Sequence, residues 1–369
     1  MWKLRNWWQL SKRMTLLLLM IGVSLVALIF NNQQLYQQPV GRIEHAAVVN
    51  REKATDQFNN VDYQFKQRLR IKVLNGRYRG KTIAAVNTYT KSGGMDQRYR
   101  VGQHVLLSQI TGKSQRLTGN VTGLKRDSAV VALCLVVLLL LIGLLGRKGL
   151  NAFFTAILNI GLFFVAIKVD LQTQAQEMVV IFASVAFLMA LMTLLITFGW
   201  GRQTWASLLA TTVGVGIAVF IFLLVSTLTG EKGLYYEAMQ YVTQNYRLLY
   251  ICEVIIGCLG AVMDEASDIL ATQFAIKDLR PHVKWHTLFL AGRDVGKTVM
   301  GPLANVLLMI FLFSTLTNAV LMLRNGNSWG YIFRMAMSLG VAQSLVSGIG
   351  IVMTVPIISA IAGYYLARK

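Results

Sequence analysis

Residues Glu253–Asp268, EVIIGCLGAVMDEASD, and Gly292–Asn305, GRDVGKTVMGPLAN, decide how this chain is to be read. Both have the apolar density of membrane helices, yet the first carries four carboxylates and the second carries Arg293, Asp294 and Lys297 among glycines. An ionised side chain at the centre of a membrane helix costs at least ~2.5 kcal/mol unless it is paired or wetted, so such groups mark a function or a specific pairing. The remaining sequence fits a membrane setting. Of 369 residues, 55% are hydrophobic and 14% charged, with a mean hydropathy of +0.53, values outside those of ordinary soluble domains.

The formal net charge of +20 points away from nucleic acid and towards anionic membrane lipid, because much of the Lys and Arg sits in short loops beside apolar runs. Cys134, Cys252 and Cys258 all lie within apolar runs and read as small buried thiols, with no disulfide framework and no CxxC metal site.

Working outward, residues 1–13 carry Lys3, Arg5, Lys12 and Arg13 without an acid and form a cytoplasmic basic N-terminus anchored by Trp2, Trp7 and Trp8. Residues 14–30 are a first transmembrane helix near the minimum spanning length of ~17 residues. No small-residue cleavage site follows, so it is expected to stay as a signal anchor. Residues 31–127 hold seventeen Lys/Arg against six Asp/Glu and alternate like strands in RLRIKVLNGRYRGKTIAAVNTY and RYRVGQHVLLSQI, the pattern of a small exported β-rich domain. Asn75-Gly76 and Ser92-Gly93-Gly94 are its turn signals. Its expected core is Ile71, Val73, Ile83, Val86, Val101, Val105 and Leu107, with residues 31–65 as a stalk or a helix against the barrel.

Residues 128–369 are a multi-helix membrane domain with spans at 128–146, 150–168, 178–198, 206–228, 248–268, 299–322 and 346–366, each near the ~20 residues that crossing requires. With the first helix, the fold class is an α-helical polytopic membrane protein of about eight transmembrane helices. Residues 331–343 contain Arg334 and read as an interfacial or re-entrant piece. Arg147, Lys148, Arg202, the 277–297 loop, Arg368 and Lys369 are expected to place the N- and C-termini in the cytoplasm, residues 31–127 outside, and the chain as a multi-pass protein in the plasma membrane.

On the helix starting near Leu248, Glu253, Gly257, Gly260, Asp264 and Asp268 recur in steps of three or four and share a face. Glu253 stands ~16 Å from Asp264 along the axis, so one carboxylate lies high and two lie low. Two readings stay open. The acids line a cation path or proton relay, or they pair with Arg293 and Lys297 and lock two helices together. Glu265, off that face and near the inner surface, is expected to be solvated. In the next segment Arg293, Asp294, Lys297, Thr298, Gly301 and Asn305 share a broad face, and Pro302 cannot donate to the Thr298 carbonyl. A freed carbonyl beside Asp294, Thr298 and Asn305 has the character of a broken transporter helix.

The stretch Ala291–Thr298, AGRDVGKT, satisfies a loose phosphate-loop pattern. It lacks the preceding buried strand and the α/β domain that pattern needs, and no ATP chemistry is expected. His282 and His286 are spaced i, i+4 and with Asp278 could hold a divalent ion on a helix, but beside Trp285 they read more plainly as interfacial residues. The metal content is therefore left unassigned and no cofactor is expected. There is no Ser/His/Asp order or acid pair in a soluble pocket, so the chain does not read as an enzyme.

In Gly260-Ala261-Val262-Met263-Asp264, in Gly296, Met300-Gly301, Asn305, Leu307 and Leu308, and in GLLGRKGL (143–150), FGWGRQTWASLLATTVGVGIA (198–218) and SGIGIVMTVP (347–356), the chain resembles the YibE/F-like family of bacterial multi-pass membrane proteins. YRVGQHVLL at the end of the external domain fits the same family. The family form GxxIGRDIMGTMxNTLIL has an arginine where this chain has Lys297 and an aspartate where it has Thr298; Asp294, one turn earlier, offers a carboxylate on the same face. The resemblance implies the architecture and a polar centre, and no substrate.

The expectation is a membrane transporter or channel for a small solute or ion. Its site is Glu253, Asp264, Asp268, Arg293, Asp294, Lys297, Thr298 and Asn305, between the helices 248–268 and 299–322. The alternative is a non-transporting envelope receptor, sensor or scaffold whose basic external domain binds its partner. Expected partners are membrane lipids, the solute or ion, and a second copy or another membrane protein, with no nucleic acid.

Overall fold

A computed structural model describes residues 32–57, 59–93, 96–112, 117–173, 177–236 and 245–367, with Met20, Gly22, Ser24 and Ile29. The basic N-terminus, its tryptophans and most of the expected first helix lie outside these residues. The chain divides into two compact units, Met1–Leu150 and Asn151–Lys369.

The first unit contains five strands, β1 (Val40–Thr55), β2 (Val61–Val73), β3 (Thr82–Thr90), β4 (His104–Thr111) and β5 (Leu117–Leu124). They close into a barrel in the order β1-β2-β3-β5-β4, with β3 and β5 parallel and the other pairs antiparallel. Five strands arranged this way form a Greek-key barrel of the OB type. The closing contacts are short, Val40–Arg42 of β1 on β4 and Ile83–Ala84 of β3 on β5, so the rest of β1 is paired by β2 alone. Strand alternation in RLRIKV sends Leu69, Ile71 and Val73 inward, where they meet Ile43, Ile83, Val105, Leu107 and Leu117.

Two expected core residues are corrected. Val86 is 56% exposed, because β3 turns Ile83, Ala85 and Tyr89 inward and position 86 has the opposite parity; Val101 is 62% exposed, because it lies in the turn before β4. The stalk or helix expected for residues 31–65 is corrected: this segment holds the sixteen-residue strand β1 and the start of β2. Asn75-Gly76 is a turn as expected, with Gly76 at φ 70°, and Asn75 is buried. Its amide nitrogen donates to the carbonyls of Tyr36 (3.0 Å) and Gln38 (3.2 Å), and its Oδ1 accepts from the Val40 backbone, fixing the entry to β1.

Seven helices are long and apolar enough to cross a membrane among the described residues. They are α1 (Asp127–Leu145), α2 (Arg147–Gln172), α3 (Met178–Phe198), α4 (Arg202–Thr229), α5 (Tyr246–Leu279), α6 (Trp285–Arg324), and a last span that enters through a helical turn at Trp329–Ile332 and a π-helical turn at Phe333–Met337 before α7 (Ser338–Ala367). The protein is a polytopic helical membrane protein with a small β domain. The expected spans all fall on these helices. Residues 331–343 do not form a separate piece but continue into α7, the π turn absorbing the irregularity.

In the second unit α7 packs on α4, α5 and α6. Half of the most apolar stretch of the last span is buried, against 6% of that of α6, so α7 is central in the bundle while the apolar part of α6 lies at its flank. Without a hydrophobic force between helices in lipid, such contacts rely on close approach at small residues. Gly214 of α4 lies directly against Thr354 of α7 and Val262 of α5, and Gly350 of α7 against Cys258, Val262 and Ala218. At the other end of α5, buried Gln273 donates to the carbonyls of Leu288 on α6 (2.9 Å) and Ser359 on α7 (3.2 Å).

Gly292 makes room for that clamp: a Cβ there would stand 2.5 Å from Gln273 Nε2 and 2.6 Å from Ser359 Oγ. Gly292→Ala is expected to destabilise the protein by about 1–3 kcal/mol in thermal unfolding in detergent. Gly301→Ala, with open space around its position, should be neutral or stabilising by up to ~1 kcal/mol.

In the barrel, burial and the cations Lys125 and Arg42 hold the His104 imidazole below its ordinary value of 6.5. The unfolded chain then takes up the proton first, so full stability is present above about pH 6.5 and falls as the pH drops below it. Asp62, held below its ordinary value by the Ser92 hydroxyl, acts only at more acid pH. The barrel's unfolding midpoint should fall between about pH 7 and pH 5, and His104→Gln should flatten that slope.

Candidate functional site

Glu253, Asp264 and Asp268 stand on one exposed stripe of α5 with Gly260, as their spacing predicts. None of the three carboxylates has a hydrogen-bond or ion-pair partner among the described residues. Side chains engage only backbone carbonyls there: Gln343 Nε2 donates to that of Glu253 at 3.3 Å and Thr272 Oγ1 to that of Asp268 at 3.0 Å.

The cations expected to meet them are held elsewhere. Arg293 and Lys297 lie 3.7 and 3.6 Å from Asp294 of their own helix, and all three are exposed. A partner within a helical turn needs no tertiary docking, whereas a cross-helix pair must have both faces turned together. The face of α6 that does dock is Leu288, Gly292 and Gly296, each four residues on and each buried; Gly296 sits against Val355 of α7. Rotation about the helix then carries Arg293, Asp294, Lys297 and Thr298 away from the bundle.

The Thr298 hydroxyl donates back to the carbonyls of Asp294 (3.0 Å) and Val295 (2.7 Å). The expected break at Pro302 is corrected: α6 is one helix across the proline, whose ring removes a single donor. Asn305 is remote from the charged turn and lines a largely apolar groove of about 650 Å³ between α6 and α7, with Leu308, Ser344, Gly348 and Val352. The structure thus brings Arg293, Asp294, Lys297 and Thr298 into one turn and leaves Glu253, Asp264, Asp268 and Asn305 outside it.

The phosphate-loop pattern lies wholly inside α6, where its amides belong to the helix. His282 falls in the turn before α6 while His286 lies within it against Trp285, so the two do not share a helical face. Cys252 and Cys258 are buried as expected, and Cys134 is exposed on α1.

Glu265 requires the largest correction. Expected to be solvated, it is 0% exposed, and neither carboxylate oxygen has a partner. It continues the buried stripe Cys258, Val262 and Ile269 rather than the exposed acids beside it. On the buried face of α4, Ser207 and Thr211 are also fully buried with unpartnered hydroxyls. Gln273 Oε1 and Ser359 Oγ are unpartnered too, beside the clamp. A readable signal existed: Ser207, Thr211, Gly214 and Ala218 recur in steps of four and three, a small, partly polar stripe of a kind that packs inside membrane bundles. Desolvated carboxylates and hydroxyls of this kind can bind a proton or a hard cation.

Residues 133–368 match the YibE/F-like protein family and residues 34–124 the YibE/F family N-terminal domain. No curated protein and no solved structure is detectably similar to this chain. With both matches together covering most of its length, the chain belongs to the YibE/F-like family.

Proposed function

We propose that this protein is a membrane transporter or channel for a small solute or ion, a small cation being the class its acids favour. The observation that carries this reading is that Glu253, Asp264 and Asp268 on a membrane-spanning helix are not neutralised by Arg293 and Lys297, which Asp294 already engages. Carboxylates serving as glue would be paired, and acids facing plain lipid would carry the cost of an unpaired charge in hydrocarbon. Acids along a hydrated route avoid both. In this reading α5 supplies the path, the charged turn of α6 tunes the potential at its inner end, and the basic loops keep both termini in the cytoplasm with residues 31–127 outside the plasma membrane.

One observation favours the second reading, an envelope receptor or scaffold. Lys66, Arg68, Arg70 and Lys72 alternate along the outward face of β2, and Arg42 pairs beside Lys72 on β1, giving the barrel a cationic strand suited to an anionic polymer.

Proteoliposomes loaded with pH- and sodium-sensitive dyes separate the two. Asp264→Asn, inserted and folded as wild type, should lower flux at least about tenfold, a barrier change of ~1.4 kcal/mol. Full flux in that variant sinks the site. Deleting residues 36–120 should spare flux in a transporter and remove the activity of a receptor.

A further inference from the structure

We propose that Glu265, Ser207 and Thr211 form an occluded site for one alkali-metal cation in the core of α4, α5 and α7, distinct from the exposed acids of α5. Three side chains from two helices are 0% exposed there, and four of their oxygen atoms have no partner: both carboxylate oxygens of Glu265, Ser207 Oγ and Thr211 Oγ1. The packing brings them to one level. A Cβ on Gly214 would meet Val262 at 3.0 Å, and Ala206 and Ala210 share a core cluster with Ala266, Ile269 and Leu270. Between these two contacts the antiparallel α4 and α5 place Thr211 level with Glu265 and Ser207 one turn further on.

The hydroxyls are free for a reason that points to a ligand. Elsewhere in the bundle Thr155, Thr197, Thr212 and Thr354 satisfy themselves by donating to the carbonyl four residues earlier, at 2.7–2.8 Å. Such back-bonding is the ordinary resting state of a helical threonine. Ser207 and Thr211 do not do this, so their oxygens stay available as ligands.

Among the described residues no charge balances Glu265. The helices α3, α4 between Arg202 and Thr229, and the last span between Arg334 and Tyr364 contain no titratable side chain. On α5 the neighbours are Cys258, two turns earlier, and the exposed Asp264 and Asp268, which add negative charge. The α6 cations are exposed and engaged by Asp294. A buried water would satisfy hydrogen bonds without neutralising the carboxylate, and a divalent ion would leave a net positive charge. A single alkali-metal ion balances the site and uses all four hard oxygens, with a proton as its natural competitor.

Thermal unfolding of the full-length protein in neutral detergent tests this, comparing sodium, lithium, potassium and choline chlorides at equal ionic strength. At alkaline pH at least one alkali-metal ion should raise the midpoint saturably over choline, and acidification should weaken the rise. Glu265→Gln should abolish it, and Ser207→Ala with Thr211→Ala should raise the half-saturating concentration several-fold. The proposal is overturned if the wild-type midpoint is the same in all four salts, or if Glu265→Gln keeps the full response. Where Glu265→Gln does not fold, an unchanged half-saturation in the double hydroxyl variant overturns it instead. Because binding and not flux is read, loss of the transport reading would leave this result standing.

Discussion

The bundle depends on one carboxamide. Gln273 lies in the dry core where α5, α6 and α7 meet, and its nitrogen bridges the Leu288 and Ser359 carbonyls. Donors of this kind hold membrane helices together at roughly 1 kcal/mol each, but they also fix rotation, which apolar packing alone leaves loose. Docking Leu288, Gly292 and Gly296 inward decides which way α6 faces. The charged turn Arg293–Asp294–Lys297 is thereby turned outward and satisfies itself, and the exposed acids of α5 are left without a counter-charge among the described residues.

Two layers of polarity result, and they differ in energetic character. The outer one, Glu253, Asp264 and Asp268, is exposed, so its cost depends on what lies beside α5, and water there makes it small. The inner one, Glu265 with Ser207 and Thr211, is sealed by packing at Gly214, Val262 and Thr354, where no solvent can reach it. A carboxylate in that position is tolerated only neutralised, by a proton or by a bound cation. The same close-packed glycines that let the helices approach therefore create the demand for a ligand.

The barrel follows separate rules. Its stability comes from alternation and closure, and two buried polar residues tie distant segments together: Asn75 joins the β2–β3 turn to the entry of β1, and Gln67 exchanges hydrogen bonds with the Tyr99 backbone. Its outward cations are a consequence of strand parity, every second residue of β2 being Lys or Arg from Lys66 to Lys72.

Periodicity and hydropathy determined the seven helices, the barrel segments, the inward set Ile71, Val73, Ile83, Val105 and Leu107, and the acid stripe of α5, because each depends only on local spacing and on transfer between water and lipid. The parity of Val86, the turn at Val101 and the strand within residues 31–65 depended on register, which neighbouring strands set. Tertiary structure alone decided which ionisable groups meet. Arg293 and Lys297 have the right spacing to face Asp264 and Asp268, but rotation about α6 is set by the Gln273 clamp and the glycines opposite it. Glu265 looks solvated in sequence because two acids flank it at distances of one and three residues; only the approach of α4 and α7 shows that it points the other way. Helical spacing places a residue on a face, and which face is buried is a property of the neighbours.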